Sequence, residues 1–577
     1  MQSTNSSTPP PRRLAASLQL PLVFDGTKTP VKTALFVIIC IAWLLPGLVG
    51  HDPWKPEEAI AFGVIYDLLR TGNWIMPSIA GVPYADATPF FAWTGALFGK
   101  LFGSFLHLHD AVRLASGFLV AVAMLFVGLA ARRLGGERAG RISVLILLGS
   151  FGLLLRGHEI SVALPDFAGT AIALYGLVRM QRPGPEGRAG AAWFGAGAGI
   201  VGLAAGIAPA LLLFAIPFAL RALVREERSA ARSREAWQGL ALAFAIALPC
   251  MLLWPALMVA SRAPGTSWCA AAFGVDTMRG SGRPFEAFYF LRILPWFALP
   301  ALPVALWIWW RDRKHLRARI ELALPLAAFV VLLAGFSVLR EPRDDVALPL
   351  LLPLILAAVQ GLDRLPRGLA SFVDWFGMLV FFLIATMLWV GYSAAHTGMP
   401  PAAARWVARQ TPGFVHEMHW ILFAIAAALT LIWLTAALRT RRTNRRAMVN
   451  WAAGVTLVWV LVNLLWLPAI DHVRSYRTTA NGLKAALPAQ YDCVAQGGLG
   501  DAQRASFYYE ASLKFAPLSE AAQCDFLLVQ GVTDKTKDPA QLPEYAAFKL
   551  GAPVWEGARP GDKSERFRLY QLVRARN

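Results

Sequence analysis

The stretch GHDPWKPEEAIAFGVIYDLLRTGNW, Gly50 to Trp74, follows directly on the apolar run Thr33–Val49, which is long enough to cross the hydrocarbon of a bilayer. It places Asp52, Glu57 and Glu58 where the chain leaves the membrane. Carboxylates there are either helix-start punctuation or chemistry. Pro56 followed by Glu57 and Glu58 suits a helix N-terminus, because proline fits the first helical position and acids in the first turn complement the helix dipole. Ile60, Val64 and Leu68 then line one face, with Ile65 and Leu69 beside them, and Gly72 supplies the stop. That reading accounts for both glutamates without chemistry. It does not explain why an amphipathic surface helix starts where a span ends and is followed by a second membrane-surface segment. Such an arrangement builds a roofed cavity with carboxylates facing it.

Composition sets the class. Of 577 residues, 56% are hydrophobic and 16% charged, with a mean hydropathy of +0.49, a balance that a water-soluble domain does not tolerate on its surface. Beyond Thr33–Val49, apolar runs lie at Arg113–Ala131, Ile142–Leu155, Ala163–Val178, Gly190–Ile207, Ala208–Leu223 and Gly239–Ala260. Further runs lie at Phe288–Trp310, Glu321–Leu339, Val346–Leu362, Phe372–Tyr392, Trp420–Leu438 and Val449–Leu467, about thirteen spans in all. Basic clusters such as Arg132/Arg133/Arg138/Arg141, Arg311/Arg313/Lys314/Arg317 and Arg439/Arg441/Arg442 fall in every second gap. The positive-inside rule makes those gaps cytoplasmic, fixes the N terminus inside and accounts for most of the net charge of +19. A nucleic-acid partner is not expected, since the basic residues are scattered over loops instead of gathered on one surface.

PFFAWTGALFGKLFGSFLHL, Pro89–Leu108, is apolar enough to span, yet counting it would put the Arg132 cluster outside. With Lys100 in its middle it is expected to lie as an interfacial or re-entrant helix on the outer leaflet. An odd span count leaves the C terminus outside. The tail from about Asp471 changes composition: YDCVAQGG, CDFLLVQG and RFRLYQLV read as strands among helical stretches such as Asp501–Leu513. Cys493 and Cys524 lie on two of these strands and are either a disulfide or two buried thiols. The expected fold is therefore an all-α polytopic membrane protein with a small C-terminal α/β extracytoplasmic domain. It divides into a cytoplasmic segment 1–32, a transmembrane domain 33–470 with its first outer loop at 50–110, and a periplasmic domain 471–577.

WKPEEA, followed after a helix-length gap by LLRTGNWIMPSIAGVPY, resembles the first outer loop of the bacterial GT-C glycosyltransferases. It is most similar to the protein-mannosyltransferase-like branch that includes the lipid A aminoarabinose transferases. That pattern runs roughly W-x-P-D-E, then G-D/N-W-x-x-P, then Y-x-E-K-P-P. The resemblance implies an enzyme of the bacterial inner membrane that takes a sugar from a polyprenyl-phosphate carrier and passes it to a lipid A, glycolipid or glycan acceptor on the outer face. A first-loop carboxylate then acts as general base or orients the acceptor, and basic side chains stabilise the departing phosphate. The carboxylate position falls on Glu57, where the family usually has Asp. Asp86, Ala87 and Thr88 stand where the family has Glu-Lys-Pro, and the family's Lys-Gly-Pro appears as GIAP, Gly206–Pro209, so two phosphate-reaching lysines are missing.

Replacement cations are Arg340 and Arg343, whose planar forks suit phosphate oxygens, or which instead pair with Glu341, Asp344 and Asp345 in their own loop. Arg283, and more weakly Arg279, stand in a further outer loop as phosphate ligands or interfacial anchors. Asp166, at the mouth of the fourth span, is the second catalytic candidate, because an ionised group there is costly unless paired or wet; as Pro165 precedes it, it also suits a helix start. Asp52, Glu58, Asp86 and Glu159 are secondary candidates. His158 with Glu159 has no spacing of a dedicated metal cage, and a divalent ion between Glu57 and Asp166 stays open as the one cofactor. The competing class is a catalytically divergent protein of the same scaffold that binds or carries an isoprenoid lipid, which the missing lysines favour.

Overall fold

The computed structural model describes residues 30–572 apart from 55, 85, 87, 225–229, 263–266, 277–285, 440–443, 532–544, 546–547, 549 and 563–564. Most of residues 1–32, together with Ala87, Arg279 and Arg283, therefore lies outside the described residues. The chain is mostly helical. It opens with α1 (Pro30–Leu44), α2 (Glu57–Thr71) and α3 (Phe90–Phe102), with a two-stranded turn, β1 (Ser78–Ile79) and β2 (Val82–Pro83), between the last two. There follow α4 (Leu108–Leu148), α5 (Phe151–Arg156), α6 (Leu164–Met180), α7 (Pro185–Ala205), α8 (Ile207–Leu223), α9 (Ala230–Ala260) and α10 (Ser267–Phe273). The remaining bundle helices are α11 (Tyr289–Phe297), α12 (Ala301–Arg311), α13 (Ile320–Leu339), α14 (Leu348–Gly361), α15 (Arg367–Thr397), α16 (Pro401–Gln410), α17 (Trp420–Arg439) and α18 (Asn444–Leu461).

Among the described residues, seven helices are long and apolar enough to cross a membrane, or eight if the bent pair α11–α12 is one crossing. The apolar runs are helical over most of their length, and three boundaries depart from the sequence reading. Arg113–Ala131 and Ile142–Leu155 are two helical stretches that meet at a non-helical kink at Gly136 (φ 84°) within Leu108–Leu148, a backbone conformation open to glycine at little steric cost, and the second run breaks at Gly149 before continuing in α5. Phe288–Trp310 is not one straight helix. It bends by 105° between α11 and α12, in a segment interrupted by Pro295 and Pro300, where the missing N–H groups break the ladder. The last apolar run passes through a π-turn, Val462–Trp466, into α19 (Leu467–Arg474).

Packing follows residue size. α7 carries glycines towards two neighbours: a Cβ on Gly197 would stand 2.4 Å from the Ala173 nitrogen and 2.5 Å from the Gly169 carbonyl of α6, and one on Gly195 would stand 2.4 Å from the Ala243 carbonyl of α9. Small residues let these backbones approach closely where apolar burial supplies no drive. α14, rich in leucine and 94% buried over its apolar window, runs through the middle of the bundle against α4, α6, α12 and α13.

Beyond α19, α20 (Arg477–Ala486) and α21 (Asp501–Ala511) pack on a mixed sheet of order β4-β3-β5-β7-β6. Its strands are β3 (Val494–Gly497), β4 (Phe515–Ala516), β5 (Phe526–Gly531), β6 (Trp555–Gly557) and β7 (Arg566–Gln571). β3 runs parallel to β4 and β5, and β7 antiparallel to β5 and β6. The period of two along β5 divides the core: Phe526 and Leu528 join Tyr476, Phe507 and Phe567, whereas Leu527 and Val529 join Ala495 and Tyr570 on the other face. Cys493 and Cys524 are bonded to each other, and Cys40 and Cys250 are free thiols.

Gly197→Val forces methyl groups into the α6–α7 seam and is expected to lower stability by about 1–3 kcal/mol, read as an earlier thermal transition in detergent. Gly368→Ala, where a Cβ meets nothing within 4 Å, is the matched control. Equal transitions for the two variants would mean the seam is not tightly packed.

Candidate active site

α2 is built as its sequence suggests: Pro56 precedes it, Glu57 and Glu58 occupy the first turn, Arg70 the last, and Gly72 at φ 72° returns its N–H to the Leu68 carbonyl. The two glutamates then part company, because neighbours on a helix are turned by about 100°. Glu58 is buried. It accepts Arg113 Nε at 2.8 Å and the Ile160 N–H at 3.1 Å on one oxygen, and the Trp54 N–H at 3.0 Å on the other. Arg113, itself without exposure, also gives Nη1 to Asp110 at 2.9 Å and Nη2 to the His51 carbonyl at 3.1 Å. Burial alone would push the Glu58 carboxyl up, but Arg113, His51 and the Trp54 amide together hold it below the ordinary glutamate range. Both oxygens of Glu58, a secondary candidate, are thus engaged within the fold.

Asp52, also a secondary candidate, is likewise engaged within the fold. Its carboxylate accepts Ser475 Oγ at 2.5 Å and pairs with Arg477, while its N–H donates to Asp471 at 2.9 Å. It ties the first loop to the chain entering the sheet. Around it, Phe62 meets the Tyr509 ring edge to face at 4.7 Å, Tyr66 meets Tyr508 at 5.1 Å, and His109 Nδ1 lies 2.9 Å from the Tyr509 hydroxyl. Asp67 accepts Ser78 Oγ at 2.5 Å and the Gly81 N–H at 3.0 Å, which holds the β1–β2 turn against α2. Asp86 lies exposed.

Glu57 is half-buried and makes no hydrogen bond among the described residues; its nearest cation is Arg156, Nη1 3.8 Å away. Arg156, at the end of α5, binds Glu159 at 2.9 Å and Asp344 at 2.8 Å. Arg343 grips Asp345 with both branches of its fork, at 3.0 and 2.6 Å. Burial works against its charge, but Asp345 and then Glu57 hold it fully protonated. Here Glu57, Glu159, Asp344 and Asp345 share the guanidinium groups of Arg156 and Arg343. Burial pushes Glu159 up to about 7 against the pull of Arg156, and the charges of Glu58 and Glu57 add to the rise. The expected pairing of Arg343 within its own loop is what the geometry holds.

Arg340 and Asp166 form a second, deeper group. Asp166 is buried in the first turn of α6 with Thr170 Oγ1 at 3.4 Å, in the field of Arg340. Arg340 donates Nη1 to the Ala205 carbonyl at 3.2 Å and lies 3.4 Å from Asp276, while its Nε has no hydrogen-bond partner among the described residues. Pairing of Arg340 with Glu341, Asp344 or Asp345 is therefore corrected: its ion partner is Asp276. Gly206 (φ 98°) of the GIAP turn is needed for the same contact region, since a Cβ there would stand 2.4 Å from the Gly274 nitrogen. The segment Arg340–Asp345 joins the two groups.

His158 does not offer a metal ligand with Glu159: its ring nitrogens lie at the Trp43 carbonyl (2.9 Å) and the Leu154 carbonyl (3.4 Å), and the ring is packed between Trp43 and Trp459. No three His, Cys, Asp or Glu side chains gather in a metal-holding group among the described residues. The sequence reading missed Arg156, Asp276 and Arg113. Arg156 carried a signal, being an arginine in a gap between apolar runs that lacks the basic cluster found in every second gap.

Known proteins share this architecture. The crystal structure of ArnT from Cupriavidus metallidurans in the apo state superposes with a TM-score of 0.65 at 18% identity, covering 94% of this chain and 98% of that one. The same protein bound to undecaprenyl phosphate gives 0.66 at 17% identity. The chain has the GT-C glycosyltransferase fold. Residues 86–254 match the family described as dolichyl-phosphate-mannose-protein mannosyltransferase. The undecaprenyl phosphate-alpha-4-amino-4-deoxy-L-arabinose arabinosyl transferase of Pseudomonas aeruginosa (strain UCBPP-PA14) is 28% identical over 467 residues, 77% of each chain. Its counterpart in Serratia proteamaculans (strain 568) is 25% identical over 451 residues, 74% of each. This chain is a glycosyltransferase of the bacterial inner membrane that resembles the aminoarabinose transferases.

For this glycosyltransferase, Glu58→Gln leaves the Arg113 charge buried and half-paired, a change that costs about 3–5 kcal/mol and should show as lost thermal stability in detergent. The double change Glu58→Gln with Arg113→Met removes the orphaned charge and should recover part of it. A Glu58→Gln protein as stable as the parent would contradict the buried pair.

Proposed function

We propose that the enzyme transfers a sugar from a polyprenyl-phosphate carrier to a lipid A-type acceptor, or a related envelope glycolipid or glycan, with Glu57 as the general base. The observation that carries this is the contrast between adjacent glutamates: Glu58 is fully engaged, whereas Glu57 keeps both oxygens free of hydrogen bonds, with Arg156 3.8 Å away. The relatives' names, built on undecaprenyl phosphate aminoarabinose, and the solved relative bound to undecaprenyl phosphate support the donor class.

In this reading an acceptor oxygen attacks the anomeric carbon and gives its proton to Glu57. The bond from that carbon to the carrier phosphate breaks, and its electron pair leaves on the phosphate. Arg340, held between Asp276 and the Ala205 carbonyl, receives that phosphate in the field of Asp166. Arg343, gripped by Asp345, adds field at Glu57, and Arg156 shares the charge that develops. Arg283 and Arg279 stay as further candidates for the same phosphate.

Glu57→Gln removes the base and should lower transfer by about a hundredfold or more in membranes that retain the inserted protein. Glu57→Asp should also lose activity, since the shorter side chain misplaces the carboxylate by about 1 Å. Parent-like transfer by Glu57→Gln would move the role to Asp166.

We also propose about thirteen crossings in a transmembrane domain at 33–470, the N terminus in the cytoplasm, and a periplasmic domain at 471–577. Three supports are the alternation of basic loops, the disulfide in the sheet, and the docking of that sheet on the loop that bears Glu57. Alkaline phosphatase fused after Asn577 should be active, and fused near Arg313 inactive; the reverse pattern would put the carboxylates on the wrong face.

A further inference from the structure

The end of the bundle remote from Asp166 holds a cavity of about 570 Å³. α6 connects the two places: from Asp166 in its first turn to Met180 at its end is about 20 Å along the helix axis. Arg182 and Arg188 reach this cavity from the α6–α7 turn, and Arg317 from the segment before α13. The two segments are remote in sequence and are brought together by the packing of α13 on α8 and of α8 on α7. Three arginines face one glutamate, Glu235, in the wall.

Of the neighbouring arginines, Arg133 pairs with Glu186, and Arg319 with Asp312 and Glu321, whereas Arg221 and Arg313 lie over indole rings. Arg182, Arg188 and Arg317 have no carboxylate partner among the described residues. The positive-inside rule explains why arginines lie in these loops. It does not explain why three of them, unpaired, converge on one cavity.

The rest of the wall says what accompanies the anion. Met180, Val224 and Ile320 line the same space, which gives it apolar as well as cationic surface. Arg221 lies over the Trp237 ring at 5.5 Å and Arg313 over the Trp310 ring at 4.6 Å, and both indoles are exposed. Such tryptophan–arginine pairs mark the depth of lipid headgroups at a membrane boundary.

We propose that this cavity binds the phosphate headgroup of an anionic phospholipid, drawn from the leaflet opposite the catalytic carboxylates. Arginine forks match phosphate oxygens in pairs, and basic pockets between membrane helices suit such headgroups. A free phosphate shares the anion but makes no use of the apolar wall. The site is independent of the sugar chemistry at Glu57.

The test is native mass spectrometry of the purified full chain in detergent, titrated with phosphatidylglycerol. Phosphatidylcholine, whose zwitterionic headgroup has no net charge, serves as the comparison and inorganic phosphate as the soluble competitor. The triple variant R182Q/R188Q/R317Q should bind phosphatidylglycerol about a hundredfold more weakly, and each single variant about fivefold more weakly. Arg313→Gln, outside the cavity, should leave binding unchanged, and added salt should weaken the parent's binding. If the triple variant does not survive purification, the three single variants decide. Parent-like binding by the triple variant or by all three singles overturns the proposal. So does equal binding of phosphatidylcholine, or displacement of the lipid by inorganic phosphate at the lipid's own concentration, which would assign the arginines to a free anion.

Discussion

Arg113 carries its charge where no water reaches it, and the placement of the first loop follows from that constraint. A buried guanidinium is tolerated when its partners are fixed and complete. Here Glu58 comes from α2, Asp110 from its own helix, and the His51 carbonyl from the chain leaving the first span. The Gly50 N–H closes on Asp110, and the Ile160 N–H ahead of α6 closes on Glu58. One ion network therefore sets the entry of the chain, the rotation of α2 about its axis, and the start of α6. Turning Glu58 inward turns Glu57 by about 100° towards Arg156.

The division of labour among carboxylates has the same origin. Asp52 is used to dock the C-terminal sheet through Ser475 and Arg477, Asp67 to hold a turn, and Glu58 to neutralise Arg113. Glu57 and Asp166 are left facing cations that also serve the segment Arg340–Asp345. Helix α21 rests on α2 through Phe62, Tyr66, Tyr508 and Tyr509, so the helix bearing Glu57 is packed on this side by the C-terminal domain. A carboxylate held in this way has little freedom left to lose, the condition under which preorganisation contributes to rate.

The acid-rich group around Glu57 has a consequence for protonation. Four carboxylates share two guanidinium groups there, and Glu159 is the member pushed up to about 7, by burial first and by its acidic neighbours second. Below that value Glu159 is neutral and Arg156 is held by Asp344 and Glu57 alone; above it Arg156 is divided among three carboxylates.

Local periodicity carried much of this protein in its sequence. The apolar runs gave the helices, the pattern Pro56-Glu57-Glu58 with Gly72 gave the bounds of α2, and the short apolar run in CDFLLVQG gave a strand. These follow from chain geometry that acts over a few residues. The helical turn also required that Glu57 and Glu58 face different ways. Which of the two turned inward was not legible, because the choice belongs to Arg113, 55 residues from Glu58. The same holds for Asp52 with Ser475, 423 residues apart, and Arg156 with Asp344, 188 apart. Composition placed arginines in the Arg340–Asp345 loop, but the fork of Arg343 closing on Asp345 while Arg340 reached Asp276 was decided by where α13 ends against α7. Sequence fixes what each segment is able to form on its own. The pairing of charges buried between segments depends on which helices lie side by side, and only the packed bundle decides that.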